Sequence, residues 1–199
     1  MNYPTVIQDL IECFKKIPGV GEKTAERYVL SLLEMEEETL EHFSNQLRNL
    51  KKNIVRCKIC NNLSENDVCE ICKDQSRDHS TICVVEEPKN VFSFEKAGTY
   101  MGTYHVLDGL ISPLEGIRPE NINIPSLLKR VEEEQIKEVI IAVKACVEGE
   151  TTALYIAKKL EGTGVKVSKI AYGIPLGADM GYIDSSTLEI SLENRQQIS

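Results

Sequence analysis

Apolar residues recur at every third or fourth position along the first part of the chain, then at every one or two, and the change of period divides it. Over residues 5–16, Val6, Leu10, Cys13 and Phe14, with Ile17 just beyond, fall at helical spacing. Ile17-Pro18-Gly19-Val20-Gly21 breaks that helix with a turn. A second helix is predicted from about Glu22 to Leu33, with Ala25, Val29, Leu32 and Leu33 on one face. A third covers Thr39 to Lys52, with Leu40, Phe43, Leu47 and Leu50 inward. Past residue 80 the pattern becomes strands alternating with helices. Thr81–Val85, Tyr104–Leu107, the β-branched run Val139–Val143, and Val165–Tyr172 read as strands. Residues 88–96, Ser126–Gln135 and Gly149–Leu160 read as helices. Such alternation implies a mostly parallel sheet with helices on both faces. From Gly173 onward turn residues lead to a weak strand, Thr187–Leu192.

Between the two regions lies a polar stretch with four cysteines, Cys57-x2-Cys60-x8-Cys69-x2-Cys72. Each CxxC pair presents two sulfurs from one tight turn, and two such turns close a tetrahedron around a single zinc ion. The intervening Asn61–Val68 is too polar to bury itself, so the metal organises it. A filled four-thiolate shell leaves no position for a reacting water, which makes the site structural. Cys13, Cys83 and Cys146 read as small apolar packing residues, with Cys146 the one most open to solvent. His42, His79 and His105 have no ligand-like spacing.

Composition narrows the function. The 199 residues suffice for one large domain or two small ones, and no apolar run approaches a membrane span. The first residues lack a basic stretch followed by an apolar one, and seven cysteines in such a chain point to a reducing cytoplasm. The net charge of −8 argues against simple adhesion to nucleic acid. Residues 1–60 hold nine basic and nine acidic side chains, however, so the remainder carries the whole excess. Phosphate contact is therefore expected from the N-terminal third, and protein contact from the acidic rest.

The Ile17–Gly21 turn supplies a phosphate site. Gly19 and Gly21 let the backbone approach a ligand closely, and free N–H groups open the second helix. Lys23 and Arg27, four apart, share the helix face beside it and can straddle a phosphate backbone without reading bases. The stretch 14–29 resembles the helix-hairpin-helix motif. Val84-Val85-Glu86-Glu87 and the later Val139–Gly149 resemble the Toprim domain, in which a Glu after the first strand and Asp-x-Asp-x-x-Gly after a later one hold Mg²⁺. Glu86 and Gly149 match that pattern, but the two aspartate positions fall on Lys144 and Cys146. A lysine repels the ion and a thiol is a poor ligand for it. Glu86, Glu148 and Glu150 nevertheless form an acidic patch.

These modules in this order, with Tyr104-His105-Val106-Leu107, Gly109–Leu114 and Gly173–Asp179, resemble the RecR family of bacterial recombination mediators. The resemblance implies an α+β multi-module chain: a helix-hairpin-helix domain (1–54), a four-cysteine zinc-finger module (55–79), a Toprim domain (80–175) and a C-terminal tail packing on a neighbouring subunit (176–199). It implies a homo-oligomer, a tetrameric ring, that binds single- and double-stranded DNA without enzymatic activity. Its partners would be RecO and, in some settings, RecF, and it would load RecA onto SSB-coated single strands at gaps. Lys23 and Arg27, with Gly19 and Gly21, would face DNA. Glu86, Glu148 and Glu150 would face RecO. Two departures are visible. Lys144-Ala145-Cys146 stands where the family commonly has Asn-Pro-Thr, and Gly181 replaces the glutamate of a stretch likened to a Walker B motif. Two rival readings stay open: a Mg²⁺-dependent Toprim nuclease or primase-like enzyme, and a zinc-stabilised adaptor that does not touch DNA.

Overall fold

The structure, a computed structural model, describes residues 3–195 and 197. The extremes of the first and last expected modules, Met1, Asn2, Gln196, Ile198 and Ser199, lie outside these. The chain forms two compact units, Met1–Asn53 and Ile54–Ser199.

The first unit is three helices, α1 (Thr5–Lys15), α2 (Glu22–Leu33) and α3 (Glu37–Asn53). Its buried centre is Ile11, Ala25 and Val29, flanked by Ile7, Phe14 and Val20. This corrects the expected inner face of α1. Val6, Leu10, Cys13 and Ile17 are exposed, Val6 at 71%, whereas Ile11 is 5% exposed. The reason is that α1 carries two apolar stripes. The one at Ile7, Ile11 and Phe14 packs with the fully buried, small Ala25 and with Val29. The inner face of α2 holds at Ala25 and Val29, but Leu33 is exposed. On α3 none of the expected inward residues is buried, and Leu47 and Leu50 are each 59% exposed. Two helices of this length already enclose the small centre, so α3 keeps a free apolar stripe.

The second unit opens with a two-stranded antiparallel ribbon, β1 (Val55–Arg56) and β2 (Leu63–Ser64), and a single-turn helix, α4 (Glu70–Lys73). There follow β3 (Asp78–Val85), α5 (Pro88–Ala97), β4 (Gly102–Val106), α6 (Ile124–Glu133), β5 (Glu138–Ala142), α7 (Val147–Leu160), β6 (Lys166–Lys169) and α8 (Ser185–Glu193). The strands make one parallel sheet in the order β4-β3-β5-β6. Alternate residues of β3 bury on opposite faces, as a sheet covered on both sides requires. Ile82 and Val84 pack with Leu127, Val131, Ile156 and Leu160 of α6 and α7. Cys83 and Val85 pack with Val91 and Phe94 of α5 and with Tyr104.

The two sheet edges differ. β6 has four residues and ends in lysines, the usual protection of an edge strand. All five residues of β4 are buried, and its outward backbone groups are covered. Arg77 Nη1 donates to the Gly102 carbonyl at 3.1 Å, Arg130 Nη1 to the Tyr104 carbonyl at 2.8 Å, and Val106 N to the Cys60 carbonyl at 2.8 Å.

The expected strand over Thr187–Leu192 is a helix. Asp184 decides this: its carboxylate accepts the Thr187 N–H at 2.9 Å and the Thr187 hydroxyl at 2.7 Å, which caps α8. Among the described residues no helix is long and apolar enough to cross a membrane.

Candidate metal centre and nucleic-acid interface

The first sulfur pair comes from the loop between β1 and β2. Asn61 N–H donates to the Cys57 carbonyl at 2.9 Å and Cys57 N–H to the Asn62 carbonyl at 2.8 Å. Asn61 takes a positive φ of 61° to close this turn. The second pair comes from α4, where Cys69 precedes the helix and Cys72 lies on it. The Cys69 N–H donates to Cys57 Sγ at 3.3 Å. All four cysteines are buried, and their sulfurs lie within 4.8 Å of one another. Cys60 Sγ and Cys69 Sγ are 3.6 Å apart. A zinc tetrahedron with bonds of about 2.3 Å has sulfurs about 3.8 Å apart, so the cage has the right size. Hydrogen bonding with Cys60 draws the Cys57 thiol down, and hydrogen bonding with Cys57 pushes the thiols of Cys60 and Cys72 up. Four sulfurs this close cannot all ionise unless a cation sits among them, and a zinc ion supplies it.

In the helical unit, Gly19 has a φ of 82°, the left-handed turn that lets α1 pass into α2. Gly21 precedes α2 in an extended conformation, and no side chain caps the helix start. A Cβ placed at either glycine would meet nothing within 4 Å, so the backbone there is open to an approaching group. Lys23 and Arg27 are both exposed on α2. The Arg27 guanidinium lies 5.7 Å from the ring centre of Tyr28, whose ring meets Phe14 edge-on at 5.8 Å. Lys15, by contrast, is tied to Glu12 at 2.7 Å and to Glu22 at 3.6 Å. Lys16 is a further cation that the motif spacing does not single out. It is exposed just before the turn and, among the described residues, forms no ion pair. Its place immediately before the Pro-Gly turn is the one signal of it in the sequence.

The acidic residues lie at the C-terminal edge of the sheet. β3 and β5 are adjacent and Val85 is level with Ala142, so Glu86 and the Lys144–Cys146 loop leave the sheet side by side. The Glu86 carbonyl accepts the Asp108 N–H at 2.9 Å. Glu148 and Glu150 lie in the first turn of α7. The Glu148 carboxyl is held below its usual range by its own backbone N–H, by the Cys146 thiol and by the Lys144 charge. Glu150 instead turns towards β6, where both its oxygens accept from Lys169 Nζ at 2.8 and 2.9 Å.

Four family models match consecutive parts of the chain. The RecR helix-hairpin-helix model matches residues 7–51, the RecR four-cysteine zinc-finger model 54–74, the Toprim domain model 80–171 and the RecR C-terminal model 173–196. The chain belongs to the RecR family. It therefore has a role in recombinational repair and binds DNA. The cysteine cage and the RecR zinc-finger match together give it one structural zinc. The sheet is the Toprim sheet of a RecR protein.

Within that RecR frame, Lys144 and Cys146 occupy the expected metal edge and Lys144 is exposed. Gly149 has a strict steric role there. A Cβ on it would sit 1.9 Å from the Lys144 carbonyl oxygen. In the RecR C-terminal region, Asp179 accepts the Gly181 N–H at 2.9 Å and so caps a turn over Met180–Tyr182.

Proposed function

We propose that this chain is a non-enzymatic DNA clamp and adaptor, acting with RecO, and with RecF as a further partner, to load RecA onto SSB-coated single strands at gaps. The observation that carries the reading is the turn between α1 and α2. It combines open backbone over Gly19 and Gly21, an uncapped helix start, and Lys23 and Arg27 free on one side. Such a site takes phosphate and carries no base readout. It therefore fits DNA of any sequence, single- or double-stranded.

The oligomer is a ring, tetrameric as in the family resemblance, with Lys23 and Arg27 lining its interior. A ring holds DNA by topology, so a few cations per subunit suffice despite the net charge of −8. The apolar residues left exposed on α1 and α3, and Leu176, Met180 and Tyr182 in the tail, support contacts between copies. Glu86 and Glu148, with Glu150 beside them, form the face for RecO. The place of action is the cytoplasm, at the nucleoid. A Mg²⁺-dependent enzyme is the weaker reading, because the charge of Lys144 and the thiol of Cys146 both disfavour a hard dication at that edge.

DNA binding across a salt series, with the intact chain and Lys23→Ala/Arg27→Ala in samples of known mass, tests the reading. Salt-sensitive binding by the oligomer that is lost in the double variant is the expected result. Unchanged binding in the double variant would move DNA elsewhere on the molecule.

A further inference from the structure

Asn61 and Asp108 are the two non-glycine residues with positive φ among those described, and both stand at 61°. One lies in the zinc knuckle and the other follows β4. They are bonded to each other: Asn61 Nδ2 donates to Asp108 Oδ2 at 2.9 Å. The same Nδ2 also reaches the Val106 carbonyl at 3.1 Å. Arg56 Nη2 donates to Asp108 Oδ1 at 2.9 Å, while its Nη1 holds the Asn61 carbonyl at 3.0 Å. One carboxylate thus gathers both ends of the first cysteine turn. Strained backbone persists where its surroundings over-determine it, and here two strained residues determine each other.

The Asp108 backbone faces the other way. Its N–H donates to the Glu86 carbonyl at 2.9 Å, and Leu107 N–H to the Val85 carbonyl at 2.9 Å. The route is short: Cys57–Cys60 turn, Asn61, Asp108, Glu86. Arg56 and Asp108 are both partly exposed, so their ion pair alone would contribute little. The weight of the arrangement lies in its geometry. A residue bonded to both the metal loop and the acidic edge makes the position of one depend on the other.

We propose that Asp108 is a positioning residue that couples the zinc knuckle to Glu86, so that the acidic edge takes its partner-binding geometry only on the metal-bound knuckle. Zinc then does more than stabilise its own loop. It sets the readiness of a protein-binding face on the neighbouring sheet. The inference rests on the reading that Glu86 belongs to the face for RecO.

The experiment uses the full chain with purified RecO as probe. Asp108→Gly removes the carboxylate and relieves the positive φ, so loss of function cannot come from added strain. Asn61→Gly removes the amide that donates to Asp108, likewise relieves a positive φ, and serves if the first variant folds poorly. Two quantities are read: zinc release to a chromogenic chelator, and RecO affinity. Outer-shell partners of metal ligands typically contribute about tenfold or more in metal affinity. We expect zinc release about tenfold faster and RecO binding about tenfold weaker in each variant, with DNA binding unchanged. Asp108→Asn, which keeps an acceptor and the backbone shape, should fall between. Faster zinc release with unaltered RecO affinity would overturn the coupling. Weakened RecO binding with unaltered zinc release would also overturn it, since the carboxylate would then touch the partner directly. Glu86→Lys separates the premise from the proposal. If that variant binds RecO as the intact chain does, the acidic-face reading itself fails. If it loses RecO while both glycine variants keep it, Asp108 has no positioning role.

Discussion

At the scale of single residues, two positions give sharp tests. The Lys144 carbonyl fills the space where a Gly149 side chain would go, at 1.9 Å from an ideal Cβ. Gly149→Ala must push the start of α7 off the strand end, at a cost of about 1–3 kcal/mol. Urea denaturation should show stability fall by that amount. His105 is the second position. Its Nε2–H donates to the Asn123 carbonyl at 2.9 Å, and its Nδ1 has no partner among the described residues. Burial draws its pKa down to about 4 from 6.5. The unfolded chain therefore takes up a second imidazole proton, which in the fold would go to the buried Nδ1, more readily than the folded one. Stability from this group is complete above about pH 6.5 and is lost as the pH falls towards 4, with a full swing of about 3 kcal/mol. His105→Gln cannot titrate, so the stability gap between intact protein and variant should narrow between pH 7 and pH 4.5. A constant gap would show that His105 does not carry this pH dependence.

Residue identities are legible to different degrees. The CxxC pairs stand out because metal ligands need fixed spacing, and the cage has that spacing in space. The inner face of α1 does not stand out. Val6, Leu10 and Ile17 make as good a stripe as Ile7, Ile11 and Phe14, and only the small Ala25 opposite selects between them. Asp108 is invisible in the sequence, since a carboxylate after a strand is common and its role depends on a loop some fifty positions away.

At the scale of elements, the zinc knuckle and β4 form one hydrogen-bonded piece. Chelation to verified metal loss should lower the melting temperature, unfold the knuckle, and expose the Val106 amide to hydrogen exchange. A melting curve unaltered by metal loss would contradict that. The sheet itself is readable because a strand buried on both faces favours a near-continuous apolar run rich in β-branched residues, as in Val139–Val143. Helix α8 imitates a strand in sequence because Leu188, Ile190 and Leu192 alternate as a strand would. The overriding signal is Asp184, a helix cap three residues before Thr187.

At the scale of the whole molecule, the exposed apolar stripe on α3 asks for a partner. Substituting Leu47 and Leu50 by lysine should leave the helical signal and monomer stability nearly unchanged, since both are exposed. It should reduce the mass measured by light scattering if copies meet there. A mass equal to that of the intact chain would assign assembly to other surfaces, with the tail residues Leu176, Met180 and Tyr182 next in line.

The unequal sheet edges carry a consequence for the protein's life in the cell. β6 carries its own lysines, but β4 is buried throughout and relies on covers supplied by other parts of the chain. The metal-held knuckle is one of those covers, at Val106. A chain synthesised under zinc starvation would leave the end of that edge, at Val106, without its cover and open to pairing with other newly made copies. Zinc supply would then limit the yield of usable protein through quality control, before any question of repair arises.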